Sequence, residues 1–377
     1  MGQFIPLSVP NLKGNELAYV TEAIQTEWVS TAGTYVNDFE KGLADYVHVP
    51  RAVACQSGTA GLHLALLTCG VKKEDEVIVP TLTFIAAVNP VKYIGADPIF
   101  MDCDDTLTID PIKLRCFCEE ECIVSQEKLI NKKTGKHIKA MVVVHVFGNI
   151  ADMEQIIEIA KQYHLKVIED ATEALGSYYQ QGKLKGQFAG TMGDIGVYSF
   201  NGNKIITTGG GGMIVSKNTE YLDRCQYLST QAKDDTLYFV HDEVGYNYRM
   251  TNLQAALGLA QLEQLETFIR TKQDNYFKYK KEGIELLSFR EGIRSNYWFY
   301  SYWTEQRDLL MNYLNEKEIQ VRPIWKLIHT LKPYQECQSF RIDKALLYYE
   351  HILNLPCSSN LTQENVATVI TAIQSFS

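Results

Sequence analysis

The sequence predicts an α/β protein: a large domain with a mainly parallel sheet, followed by a smaller C-terminal α+β domain. Three observations predict this. From about residue 50 to 220, short apolar runs alternate with stretches of helical period. Those runs are apolar throughout, as strands are when helices cover both faces of a sheet. From Thr251 a single long helical pattern begins and leads into an aromatic-rich remainder. The expected division is therefore residues 1–250 for the large domain and 251–377 for the linking helix with the small domain.

In chain order, Arg51 to Cys55 reads as the first strand, and Thr59 to Cys69 as a helix with Leu62, Ala65 and Leu66 at helical spacing. Asp75 to Pro80 is a second strand and Phe84 to Ile94 a second helix. Pro98 to Asp102 and Ala140 to Val146 are further strands. Asp152 reads as the N-cap of a helix Met153 to Tyr163, and Leu165 to Asp170 as a fifth strand. Between them, Thr106 to Lys139 interrupts the rhythm. It is charged and carries three cysteines, and Asn131 to Lys136 reads as a turn between short strands, so the segment is expected as a surface excursion from the sheet. After Thr251, residues Ala255, Leu259, Leu262, Leu265, Phe268 and Ile269 fall on one helix face, and Tyr297 to Trp303 reads as a core strand. Ligands of parallel sheets sit beyond the carboxyl ends of the strands. Gln56 to Thr59, His145 to Gly148 and Asp170 to Glu173 all stand at such ends, so three segments are expected to face one crevice.

Composition narrows the function classes. The hydrophobic share of 46% and charged share of 21% are those of a globular protein, and no apolar run approaches the roughly 18 residues of a membrane span. Met1 to Pro6 lacks the basic and apolar regions of a leader, and Gly2 is followed by Pro6 where a myristoylation signal wants Ser or Thr. With nine cysteines, this predicts reduced thiols in the cytoplasm and no membrane association. Cys116, Cys118 and Cys122 lack a fourth ligand at finger spacing, so they are expected as free thiols on a helix with Phe117 and Ile123, without metal. A net charge of −9 with scattered Lys and Arg argues against nucleic acid but leaves an anionic substrate open.

The chemistry centres on one lysine. The apolar run Ile195 to Tyr198 ends in Ser199-Phe200; Lys204 follows, and then four glycines, Gly209 to Gly212. A pyridoxal phosphate site needs an amine for a Schiff base, a hydroxyl near a phosphate, and little bulk around both. Four segments converge on that lysine. Ser57-Gly58-Thr59 at a strand-to-helix junction offers N–H groups and a hydroxyl to a phosphate, although it is also a common capping sequence. Asp170 ends an apolar strand and is a candidate partner for a pyridinium N–H, or an N-cap. Phe84 offers a flat ring for stacking, or belongs to the core. Tyr246-Asn247-Tyr248-Arg249 before the long helix suits a polar loop reaching an anion, or one fixed by ordinary hydrogen bonds.

These residues, with Thr83-Phe84, Gly95-Ala96-x-Pro98, His145-Val146-Phe147-Gly148, Glu169-Asp170-Ala171 and Ser199-Phe200-x-x-x-Lys204, make a sequence that resembles the DegT/StrS sugar aminotransferases. These are pyridoxal phosphate enzymes of fold type I, like aspartate aminotransferase, and the match runs over nearly the whole chain. The resemblance implies that Lys204 bears the cofactor as a Schiff base and shuttles protons, that Asp170 pairs the ring nitrogen, and that Phe84 stacks on the ring. It implies Gly58, Thr59 and Ser199 at the phosphate, Asn247 contributing from the partner of a homodimer, and Glu173 where the family often has Gln or His near the ring hydroxyl. Gly210 stands where the family usually has an acidic residue, which bears on local substrate contacts.

Within the family, Trp28-Val29-Ser30-Thr31-Ala32-Gly33, the Thr106–Lys139 insertion and Arg322-Pro323-Ile324-Trp325 with His329 resemble enzymes that aminate C4 of UDP-linked 4-keto-6-deoxy-N-acetylhexosamines, in bacillosamine and legionaminic acid pathways of surface polysaccharide biosynthesis. Trp28, Thr31, Arg322 and His329 are the implied substrate residues, with L-glutamate as amino donor. Amination at C3 is the alternative. A sugar dehydratase of the same fold is expected to carry histidine in place of Lys204, and a regulatory protein is expected to carry a DNA-binding module or basic stripe, which this chain lacks.

Overall fold

A computed structural model describes residues 4–376; Met1, Gly2 and Gln3 of the N-terminal reading, and Ser377, lie outside the described residues. Its centre is a ten-stranded sheet. From one edge the main path runs Ala52–Cys55, Gly212–Val215, Ile195–Ser199, Lys166–Asp170, His137–Val144, Glu76–Pro80, Asp97–Met101 and Ser339–Phe340. Along this path only Gly212–Val215 runs against its neighbours, so the mainly parallel sheet is as expected. The central strands are buried along almost their whole length, which follows from helices lying on both faces.

Register then decides what meets. Cys55 pairs with Gly212, and Gly212 with Ser199, so the carboxyl ends of two strands lie abreast of the start of a third. Asp170, at the end of its strand, pairs with Val197, two residues before Ser199. The Ser57 corner, Asp170 and the Ser199–Lys204 turn therefore leave the sheet at one end.

Three local expectations are corrected. The helix expected over Phe84–Ile94 is broken into a 3₁₀ turn Ile85–Ala87 and a helix Asn89–Ile94. Pro90 has no N–H to give and its ring would collide with the carbonyl four residues earlier, but it fits the first turn of a new helix. Cys122 and Ile123 do not continue the helix of Cys116 and Cys118; that helix is Pro111–Glu121, and they begin the strand Cys122–Ser125. With Lys128–Asn131 this strand forms a hairpin on the edge of His137–Val144, and a turn with Gly135 at φ 71° joins the two. Finally, the fourth strand begins at His137 and stops at Val144, so His145 and Val146 lie past its end. All nine cysteines are free thiols, and the described residues contain no group of three or more potential metal ligands. No helix among the described residues is long and apolar enough to cross a membrane.

The helix Asn252–Lys281 opens with a capping box in which Thr251 and Gln254 satisfy each other's backbone N–H groups. It leads to a three-stranded antiparallel sheet of Tyr300–Trp303, Ile352–Leu355 and Arg322–Pro323. Two segments cross the boundary expected at residue 250. Ile5 and Leu7 bond to Glu318, Gln320 and Cys357 of the C-terminal part, and Ser339–Phe340 joins the edge of the large sheet. Buried Asp102, just past its strand, receives the N–H groups of Asp343, Lys344 and Ala345 together with the Lys113 ammonium at 2.6 Å. These ties hold the small sheet over the carboxyl ends of the large one.

Candidate active site

A cavity of about 790 Å³ opens where the two parts meet. One wall is the start of the helix Gly58–Thr68. The Ser57 hydroxyl accepts the Ala60 N–H at 3.0 Å, while the first-turn N–H groups of Gly58 and Thr59 have no partner within the helix. Space here is tight by design of sequence. A Cβ on Gly58 would lie 2.9 Å from the Ser199 Cβ and 3.0 Å from the Thr172 Cγ2; one on Gly212 would lie 2.7 Å from the Ser57 backbone. Glycine at both positions lets two backbones and the Ser199 hydroxyl close around a small crevice with positive dipole. That donor set fits a phosphate dianion.

Deeper in the cavity are three charged groups. Lys204, its side chain 11% exposed, places Nζ 3.6 Å from the Glu173 carboxylate and 4.2 Å above the centre of the Trp298 ring. Glu173 is buried, and this burial pushes its pKa up to about 7 against the pull of the lysine charge and of the Phe147 N–H, which donates to its other oxygen at 2.9 Å. Asp170 is equally buried and also shifted upward by desolvation; the Thr172 N–H donates to its Oδ1 at 3.1 Å. Two desolvated carboxyls thus stand near one amine. A buried carboxylate aimed into a cavity also fits the N–H of a heteroaromatic ring.

A second layer fixes that corner. The His145 Nδ1 accepts the Ala151 N–H at 3.2 Å, so its Nε2 carries the proton and donates to Glu169 at 2.8 Å. Glu169 also accepts N–H groups from Gly190, Met192 and Gly193. Of the three segments expected at the crevice, His145–Gly148 thus supports it from behind, while Ser57–Thr59 and Asp170–Glu173 line it.

Of the residues singled out from sequence, Gly58, Thr59, Phe84, Asp170, Glu173, Ser199, Lys204 and Arg322 line this cavity. Phe84 is 52% exposed at its edge rather than in the core, and Arg322 is exposed at the mouth. Four others lie off it. Asn247 is exposed, in a bridge with Thr230; Trp28 is 58% exposed, its carbonyl held by Asn252 at 2.6 Å; Thr31 is exposed beside it. His329 is half-buried, bonded through Nδ1 to the Thr81 hydroxyl at 2.7 Å, and burial lowers its pKa. Arg249, read as able to reach an anion, is already paired with Glu40 and the Ala54 carbonyl at 2.5 and 3.1 Å. Sequence reasoning missed Trp298, Phe299, Gln320 and Asn354, which close the cavity from the C-terminal part together with Trp325 of the Arg322–Trp325 segment. The aromatic run around Trp298 was visible, but it signalled a core strand, and only Tyr300–Trp303 is one.

Similarity to known proteins gives the family. The family model described as the DegT/DnrJ/EryC1/StrS aminotransferase family matches residues 10–374. The GDP-perosamine synthase of Escherichia coli O157:H7 is 41% identical over 99% of this chain and 99% of its own length. The GDP-perosamine synthase of Caulobacter vibrioides is 36% identical over 98% and 97%. A DegT/DnrJ/EryC1/StrS aminotransferase from Brucella abortus has the same fold, with a TM-score of 0.88 at 26% identity, covering 96% of this chain and 95% of that one. This chain belongs to the DegT/DnrJ/EryC1/StrS family of pyridoxal phosphate-dependent sugar aminotransferases.

Proposed function

We propose that this enzyme moves the amino group of L-glutamate to C4 of a nucleotide-linked 4-keto-6-deoxy sugar, with a GDP-linked sugar as the acceptor. The observation that carries the reading is the half-buried Lys204 amine, set between Glu173 and Trp298 at the end of a glycine-lined anion crevice. Pyridoxal phosphate bound there would supply an electron sink for the pair left on the carbon next to nitrogen when a proton leaves it. In this reading Gly58, Thr59 and Ser199 hold the phosphate, and Asp170 keeps the ring nitrogen protonated. Phe84 covers one ring face. Glu173 stands by the ring hydroxyl, and Lys204 bears the cofactor and carries the proton between the reacting carbons. Arg322 at the mouth offers charge to the nucleotide phosphates. Asn247, Trp28 and Thr31, exposed and off this cavity, would reach a cofactor or substrate only in the partner subunit of a homodimer. His329, engaged by Thr81, supports the loop in this reading rather than the sugar.

Support for GDP over the UDP-linked N-acetylhexosamine suggested by the Trp28 and His329 segments comes from two relatives named as GDP-perosamine synthases. Trp28, Thr31 and His329 themselves also lie off the cavity, although Arg322 lines it. The test is a panel of GDP-, UDP- and dTDP-linked 4-keto sugars incubated with glutamate, with the amine position read by NMR. Turnover is expected with the GDP sugar at C4; amination at C3, or only of UDP sugars, would displace the proposal. Lys204→Arg is expected to abolish turnover, because a guanidinium stays protonated and forms no Schiff base. Retained activity in that variant would remove the lysine from its role.

A further inference from the structure

The geometry points to Trp298 as a positioning residue for Lys204, one indole holding both the backbone and the amine of the lysine. The inference rests on the reading of Lys204 as the cofactor-bearing residue. The indole Nε1–H donates to the carbonyl of Asn203, the residue before the lysine, at 2.7 Å. The face of the same ring lies 4.2 Å from the Lys204 Nζ. The ring itself has little freedom: Trp298 is buried, and Phe299 stacks on it at 4.1 Å.

The support behind the ring is equally specific. The buried Asn296 accepts the Trp298 N–H through Oδ1 at 3.0 Å and donates through Nδ2 to the carbonyls of Glu173 and Leu175 at 2.9 and 3.0 Å. One side chain therefore ties the tryptophan under the lysine to the segment bearing the carboxylate beside it. The turn that makes this possible sets Tyr297 at φ 55°, a left-handed conformation that a bulky residue adopts only when its surroundings impose it. Gly148 leaves the room, since a Cβ there would lie 1.9 Å from the Asn296 Oδ1.

The chemistry gives this seat a purpose. When the amino group resides on the cofactor, Lys204 is a free amine on a flexible stem, and it must return to the same carbon in the second half of the cycle. A ring face keeps the ammonium in the site until it gives up its proton, and a held backbone shortens the search of the neutral amine. The lysine sits on the turn between two strands of the large sheet, whereas its seat belongs to the C-terminal part, so the amine is aimed only when the two are docked.

The test compares full-length wild type with Trp298→Phe, which keeps a ring but loses the indole N–H, and Trp298→Leu, which loses both contacts. After removal of the cofactor with hydroxylamine, each protein is treated with limiting acetic anhydride, and acetylation is read by mass spectrometry at Lys204 and at the exposed Lys41. Lys204 is expected to react roughly tenfold faster in Trp298→Leu, and by an intermediate factor in Trp298→Phe. Lys41 should react alike in all three. The kcat for glutamate-driven amination should fall in the same order, with KM for glutamate little changed. Equal Lys204 rates in all three overturn the inference, and Trp298→Phe retains the packing should Trp298→Leu not fold. A separate arm reduces the loaded wild type with borohydride. Cofactor found on a residue other than Lys204 would defeat the underlying reading, independently of the Trp298 result.

Discussion

Glu173 faces two demands that pull its proton in opposite directions. Desolvation favours the neutral acid, the nearby lysine and the Phe147 N–H favour the carboxylate, and desolvation prevails, raising the pKa from 4.5 to about 7. Between those values the folded chain keeps a proton that the unfolded chain has lost. The contribution of Glu173 to stability therefore falls as pH rises through this window, and above about 7 the full penalty is present. A shift of this size corresponds to about 3 kcal/mol at most. In cofactor-free protein, Glu173→Gln is expected to gain stability over wild type between pH 5 and pH 8, up to that amount, in urea unfolding at the two pH values. Identical pH profiles would show that the carboxylate stays ionised throughout. From sequence, Glu173 was legible as a residue of the crevice, but its titration was not, because desolvation depends on what the C-terminal part covers.

At the scale of elements, the crevice depends on how closely Gly212 approaches the Ser57 corner. A methyl group there would meet backbone rather than a yielding side chain, at 2.7 Å from the Ser57 carbonyl. Gly212→Ala is expected to cost about 1–3 kcal/mol and to weaken retention of pyridoxal phosphate, the first measured by urea unfolding and the second by absorbance after dialysis. Loss of stability with full retention would show that the crevice widens without harm to the phosphate. The strands and the long capped helix were legible because burial on both faces and a 3.6-residue period leave strong patterns. The Phe84–Ile94 segment was not, since its apolar period runs through Pro90 and only backbone sterics at that residue divide it.

At the scale of the whole molecule, one surface is unusually apolar. Leu237, Tyr238, Phe239 and Val244 are 67 to 82% exposed on the loop that leads to Asn247. Exposed apolar side chains grouped on one loop fit a protein interface, and a second copy is the occupant that would bring Asn247 to a neighbouring cavity. In sedimentation velocity the chain is expected to run as a dimer, and Leu237→Asp combined with Val244→Asp to shift it toward monomer and lower cofactor retention. A wild type that is monomeric and fully active would remove Asn247, Trp28 and Thr31 from the site.

By itself the sequence determined the fold class and the half of the site that lies near strand ends. Ser57–Thr59, Asp170, Ser199 and Lys204 each sit within a few residues of a recognisable strand, so local pattern carried them to the right end of the sheet. Only the tertiary structure decided the other half. Trp298, Trp325 and Asn354 reach the cavity because Asp102, Leu7 and the Ser339–Phe340 strand dock the C-terminal part onto the large sheet. That docking brings Lys204 together with a residue 94 positions later in the chain. Local propensity carries no trace of such a meeting, because its physical cause is the closure of two packed layers on each other.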